Sequence, residues 1–292
     1  MTDLLQQLLN GLSQGSIYAL IAVGYTMIYG IIQLINFAHG DVIMVGAYVA
    51  LGCALMGLGF IPSLAVAMLT CAILGVIIER VAYRRVRPVS RLAALTSAIG
   101  VSLFLEYTMM YFLGADLRTY PAGFFPERTY SLLGVTINNK DLLVLGTTLV
   151  LVIILQYIIY RTRTGKAMRA VSFDGQAAQL MGVNVNSTVA ITFFIGSAMA
   201  AAAGLLYGIY FNTVQPLMGL MPGLKAFIAA VLGGIGSVPG AMLGGILLGM
   251  TESLVAGFGG SMYRDAVAFI ILILVLLIRP TGLLGKGAQE KV

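Results

Sequence analysis

Residues 42–78 read VIMVGAYVALGCALMGLGFIPSLAVAMLTCAILGVII and carry no charge at all. A helix needs roughly 20 consecutive apolar residues to cross the hydrocarbon core of a bilayer, so each long uncharged run counts as one or two crossings. The same pattern recurs along the chain. Leu4 to Ala38, Leu142 to Tyr160, Ser187 to Phe211 and Ala226 to Thr251 are uncharged, Leu92 to Ala115 is broken only by Glu106, and Ala266 to Ile278 closes the series. Over 292 residues, 59% are hydrophobic and 10% charged, against about 25% charged in an ordinary soluble domain. The runs are apolar throughout and do not alternate as barrel strands do, so they predict helices. The fold expected is all-α, a polytopic transmembrane helix bundle of about eight spans, nine if every interrupted segment crosses fully. The first run lacks a basic flank and is too long for a signal h-region, so it is expected to stay on the mature chain.

Charge placement supplies the orientation. Arg80, Arg84, Arg85, Arg87 and Arg91 form one basic loop, Arg161, Arg163, Lys166 and Arg169 a second, and Arg279, Lys286 and Lys291 flank the C-terminus. By the positive-inside rule all three face the cytoplasm, which puts the C-terminus there too. The 115–141 loop between them mixes Asp116, Glu127 and Asp141 with Arg118, Arg128 and Lys140 and is expected outside. The formal +6 net charge is thereby accounted for by topology, with no call on nucleic acid. Cys53 and Cys71 lie in apolar runs and read as small hydrophobes.

Two interruptions stand out, near 33–41 and 233–240. In the first, Gln33, Asn36, His39, Gly40 and Asp41 punctuate apolar sequence; in the second, Gly233, Gly234, Gly236 and Gly240 surround Pro239. Such backbone is tolerated at membrane depth only inside protein or beside a water-filled cavity, and paired breaks in two halves point to a transporter's substrate site. Glycines four apart, Gly236/Gly240, Gly240/Gly244 and Gly245/Gly249, set up close helix packing, either within the bundle or at a dimer seam.

Titratable groups in membrane segments are costly and therefore functional candidates. They are His39, Asp41, Glu106, Lys225 and Glu252. His39 and Asp41 either satisfy the broken backbone or meet substrate. Glu106 is either a buried hydrogen-bonding carboxylate or reaches water near the outer surface. Lys225, next to Met221-Pro222-Gly223, is expected near an interface with its stem snorkelling, and Glu252 has no partner that sequence can name. No buried acid–base pair is apparent that would grip a zwitterion, so a weak, permissive cavity is expected. In the cytoplasmic segment 161–186, Asp174 is a helix N-cap, Gly175 to Met181 supplies two turns and Gly182 ends them. This short isolated helix is marginal alone. Its Ala177, Leu180 and Met181 share one face, which docks either on the chain's own bundle or on a cytoplasmic partner. No phosphate cradle G-x-x-x-x-G-K-[ST] is present, since Gly165-Lys166 precedes Ala167 and Gly285-Lys286 precedes Gly287, and no metalloprotease, dithiol or nucleophile-elbow motif occurs.

The strings SIYALIAVGYTMIYGIIQLINFAHGDVIMVGAY (16–48), IERVAYRRVRP (78–88), GKAMRAVSFDGQAAQLMGVN (165–184), LKAFIAAVLGGIGSVPGAMLGG (224–245) and RPTGLLG (279–285) resemble the inner-membrane permease subunit of the branched-chain amino acid ABC importers. That family also holds urea and short-chain amide permeases. The resemblance runs nearly end to end and implies a single permease domain, 1–292, in the bacterial inner membrane. It implies a second related permease, two cytoplasmic ATPases that use ATP and Mg, and a periplasmic substrate-binding protein, with no cofactor or metal and no catalysis in this chain. By the same match Arg169, Asp174, Ala177, Ala178, Leu180, Met181 and Gly182 face the ATPase groove. Asn36, His39, Asp41, Gly233, Gly234, Gly236 and Gly240 line or shape the pathway. The substrate expected is a branched-chain amino acid, with urea or an amide as the alternative. A proton- or sodium-driven secondary transporter is the competing class.

Overall fold

The structure, a computed structural model, describes residues 2–87, 89–125, 128–132 and 135–285. Glu127, Lys286 and Lys291 lie outside the described residues. The helices follow the apolar runs: α1 (Thr2–Ile32), α2 (His39–Leu55), α3 (Phe60–Ile78, continued by a π-helical turn, Glu79–Tyr83), α4 (Arg91–Leu113) and α5 (Asn139–Arg161). A short antiparallel hairpin, β1 (Thr129–Leu132) and β2 (Val135–Asn138), precedes α5. Then come two short helices, α6 (Arg163–Phe173) and α7 (Gly175–Leu180), and four apolar ones, α8 (Val185–Phe211), α9 (Leu220–Gly233), α10 (Val238–Val255) and α11 (Arg264–Ile278). Among the described residues, six stretches are long and apolar enough to cross a membrane; the last of them, Val238–Ile278, is α10 and α11 joined through an irregular turn, and α2 and α9 are shorter apolar helices. Among the described residues the bundle thus has nine apolar helices, roughly consistent with the expected count of about eight spans.

Caps mark where helices meet polar surroundings. The Ser90 hydroxyl accepts from the amides of Leu92 and Ala93, and Asn138 and Asp141 form a reciprocal capping box at the start of α5. Each satisfies amide donors that the first helical turn leaves without partners.

Helix α1 is the centre of the bundle, buried from Gly15 through Ile28. It lies antiparallel to α10 at backbone contact, since Gly11 meets Met250 and Ser253, Gly15 meets Ile246, and Gly245 meets Ala19. A side chain at any of these glycines would collide with main chain. The Gly245/Gly249 pair therefore serves packing inside the chain, and Gly240 and Gly244 do the same against Gly233 and Ala229 of α9. Helices α3, α4, α5 and α11 lie outermost, with Phe104, Tyr111, Ile153 and Leu277 among their exposed apolar side chains.

Both interruptions are present, and each is a reversal between helices. Chain 33–38 turns α1 into α2, with Gln33 in the left-handed region (φ 52) and the Tyr83 hydroxyl donating to Asn36 Oδ1 (3.1 Å) and to the Ile35 carbonyl (3.3 Å). Chain 234–237 turns α9 into α10, and residues 279–285 fold back on it, Leu283 and Leu284 donating to the carbonyls of Leu232 and Gly233. The two ends of the bundle differ. At one, Gln6 bonds Thr136 of the β-hairpin and Ser253 bonds Gln7. At the other lie α6, α7, the 234–237 turn and Arg87, whose guanidinium donates to Asn186; this is the basic end.

Candidate functional site

Three constellations carry the polar chemistry. The first is the α6–α7 knob at the basic end. Thr162 caps α6 by accepting from Gly165, and Gly165, Met168 and Val171, three apart, bury one face of α6 on the bundle. Asp174 then caps α7, its Oδ1 accepting from Gln176 and Ala177, both at 3.0 Å. Helix α7 ends in a Schellman motif, with Gly182 donating to Gln179, Val183 donating to Ala178, and Gly182 at φ 85. The expected cap and stop are where the sequence put them, but the helix is not isolated: α6 leads directly into it. The three-residue spacing of Gly165, Met168 and Val171 is the signal that would have found α6.

Leu180 is 89% exposed, Met181 84% and Phe173 83%. Ala177 and Arg169 also face outward, Arg169 resting on the Tyr160 ring at 5.5 Å. Ala178 is the exception among the seven expected docking residues: it is buried against its own chain. Phe173 was not singled out by sequence reading, because it closes α6 on the polar side of the Asp174 cap. A cleft of about 970 Å³ lies beside the knob, bounded by Gln33, Arg87, Asp174 and Asn184. Alanine at Gly182 would strain a left-handed position by about 1–2 kcal/mol. Gly182→Ala should therefore fray α7, read as faster tryptic cleavage at Arg169 than in the parent chain.

The second constellation surrounds the start of α2. His39 is fully buried, its ring 4.5 Å from that of Tyr25. It fits because residue 24 is glycine; a β-carbon there would stand 2.7 Å from His39 Nε2. Asp41 is also buried, with Ser102 and Glu106 of α4 as its polar neighbours, and Glu106, 8% exposed, takes the buried reading. Asn36, His39 and Asp41 thus tie α1, α2, α3 and α4 together. The glycines Gly233 and Gly240 form the α9–α10 contact, Gly234 (φ 105) packs on Gly282 and Gly285, and the Gly236 amide (φ 91) donates to Thr26 Oγ1 at 3.2 Å.

The third constellation is ionic and sits toward the hairpin end. Lys225 of α9 is 6% exposed and Glu252 of α10 fully buried. Lys225 Nζ lies 3.0 Å from Glu252 Oε1 and 2.6 Å from Asp265 Oδ1 of α11. Glu252 Oε2 is also reached by Gln14 Nε2 (2.9 Å), the Tyr18 hydroxyl (3.0 Å) and Arg264 Nε (3.3 Å), and Arg264 donates to Gln14 Oε1 as well. One expectation is corrected here. Lys225 does not snorkel to an interface, because its α9 position points at α10 and α1, where it forms a buried pair with Glu252. Sequence could not join Lys225 to Glu252, which stand on separate helices, and it did not single out Arg264 or Asp265.

The profile of the family described as "branched-chain amino acid transport system / permease component" spans residues 7–276. The high-affinity branched-chain amino acid transport system permease protein BraD of Pseudomonas aeruginosa is 47% identical over 300 residues, covering 99% of this chain and 98% of its own. The corresponding LivH of Escherichia coli K12 is 43% identical, covering 99% and 97%. A probable branched-chain amino acid transport permease of Methanocaldococcus jannaschii, also LivH, is 28% identical, covering 92% and 89%.

Proposed function

The chain belongs to the family of branched-chain amino acid transport permeases, and we propose that it forms the translocation pathway of an ATP-driven, binding-protein-dependent importer together with a second related permease. It is a multi-pass inner-membrane protein. In this reading the basic end is cytoplasmic, and the C-terminus with it. Nine crossings then place the start of α1 and the β-hairpin on the periplasmic side, where a substrate-binding protein delivers the amino acid. Two ATPases, hydrolysing ATP with Mg, dock on the cytoplasmic knob.

One observation supports this reading above the others: Leu180 and Met181 are held out from the bundle on a capped, terminated helix amid basic residues. A secondary transporter has no use for such a dock. ATP binding draws the ATPases together, the knobs follow, and the cavity switches between outward- and inward-open states. Substrate biases that equilibrium only through its different affinity for the two states. Asn36, His39, Asp41, Gly233, Gly234, Gly236 and Gly240 act in this scheme by fixing the angles of α2 and α10 beside the pathway. All of these but the exposed Gly236 are buried, which supports positioning rather than a direct hold on substrate.

Energised uptake of labelled leucine, in cells with and without the gene and with no redundant system, tests the substrate. The expected result is loss of leucine uptake on deletion, with uptake in the parent strain blocked by isoleucine and insensitive to urea. Unchanged leucine uptake with loss of urea or amide uptake would transfer the same architecture to the alternative substrate.

A further inference from the structure

We infer that the Lys225–Glu252–Asp265–Arg264 cluster is a transient contact for the paired ammonium and carboxylate of the transported amino acid, with Asp265 occupying Lys225 until the substrate's own carboxylate displaces it. The inference rests on the amino acid reading above and assigns that reading a polar contact.

The two acids of the cluster are unlike. Glu252 is fully buried and held by Gln14, Tyr18, Lys225 and Arg264. The Asp265 side chain is 53% exposed and pairs with Lys225 from the outer edge of the cluster. One acid is therefore fixed and the other can leave, and the one that leaves is the one a solute from outside meets first. Asp265 also begins α11 directly after the irregular turn Ala256–Tyr263, where Phe258 and Gly259 (φ 91) depart from helical geometry. That break lets the first turn of α11 shift without unwinding α10.

Charge balance then selects the ligand. Lys225 and Arg264 face Glu252 and Asp265, so the cluster's formal charges cancel. A zwitterion entering it brings one charge of each sign: its carboxylate takes Lys225, its ammonium takes the released Asp265, and no buried charge is left without a partner. A simple amine or carboxylic acid would leave one unpaired, and urea, an amide or a sugar would open the ion pair and replace nothing. Each outcome leaves a desolvated charge exposed to the low-dielectric interior, which is the costly state. Because the internal pairs must open first, the net affinity stays low, as suits a site that passes substrate on.

The test uses the complete importer in proteoliposomes with its binding protein and labelled leucine. Asp265→Asn changes only the half-exposed acid and leaves the buried Lys225–Glu252 pair in place, so the assembled complex should retain its melting midpoint. Maximal uptake at saturating loaded binding protein should nevertheless fall about ten-fold or more, with the half-saturating concentration of binding protein unchanged. Asp265→Glu should recover most of the lost uptake. Wild-type uptake by Asp265→Asn would overturn the inference and leave the cluster a purely structural tie while the import reading stands. If the wild-type complex carries urea or an amide and not leucine, the amino acid reading falls and this assignment falls with it.

Discussion

Lys225→Met is expected to destabilise the subunit by about 3–5 kcal/mol, because it removes one partner of a buried ion pair and leaves the other in place. The carboxylate left behind, Glu252, is fully buried. Gln14, Tyr18 and Arg264 would still hold its Oε2, while Oε1, which now faces Lys225 at 3.0 Å, would face methionine. Those remaining contacts put the expected loss toward the lower figure. Removing both partners should behave differently. Lys225→Met/Glu252→Met replaces the pair with apolar groups, and such replacements are often close to neutral; Arg264 and Asp265 keep partial access to water at 30% and 53%. Unfolding of the purified subunit in mixed detergent, comparing the parent, the single and the double variant, measures this directly. A single variant as stable as the parent would mean that the ion pair contributes nothing net, and that Glu252 is adequately satisfied by its neutral neighbours and Arg264.

The sequence makes some parts of this molecule legible and hides others for definite reasons. Uncharged runs separated by arginine-rich loops are a local signal, so α1, α5 and α8 to α11 could be bounded within a few residues. The end of α7 was equally readable, since Asp174 and Gly182 act on backbone within three or four positions of themselves. Gly245 and Gly249 announced a close approach but not its target, because the identity of α1 as partner is a property of the folded bundle. The ionic cluster was hidden more deeply. Gln14, Lys225, Glu252 and Asp265 come from four helices, and no spacing rule connects them. His39 was a candidate because a titratable group in a membrane segment is costly; that its ring fits through the missing side chain of Gly24, beside the Tyr25 ring, is a property of the folded bundle.

Leu180→Asp combined with Met181→Asp should abolish ATP-driven uptake while leaving the subunit folded. Both side chains are more than four-fifths exposed, so their replacement removes almost no contact within the chain, whereas α6 and α7 are anchored through Gly165, Met168, Val171 and Ala178, which stay as they are. Apolar groups presented this way contribute when a partner covers them, and buried anchors at the centre of an interface are worth about 2 kcal/mol or more each. Losing two of them, and placing carboxylates in their stead, weakens association by roughly a thousand-fold. Co-purification of the ATPases with the variant should then fail, and leucine uptake should drop to the level of the deletion strain. Helical content and melting midpoint of the isolated permease should match the parent. If the ATPases still co-purify but uptake is lost, the knob transmits motion rather than supplying affinity, which keeps the import mechanism and moves the docking energy elsewhere, to the cleft beside Gln33 and Arg87. If uptake continues at the parent rate, an ATP-driven mechanism cannot operate through this knob, and transport must draw on an ion gradient. In that case Asp41 and Glu106, joined between α2 and α4, become the groups to replace next.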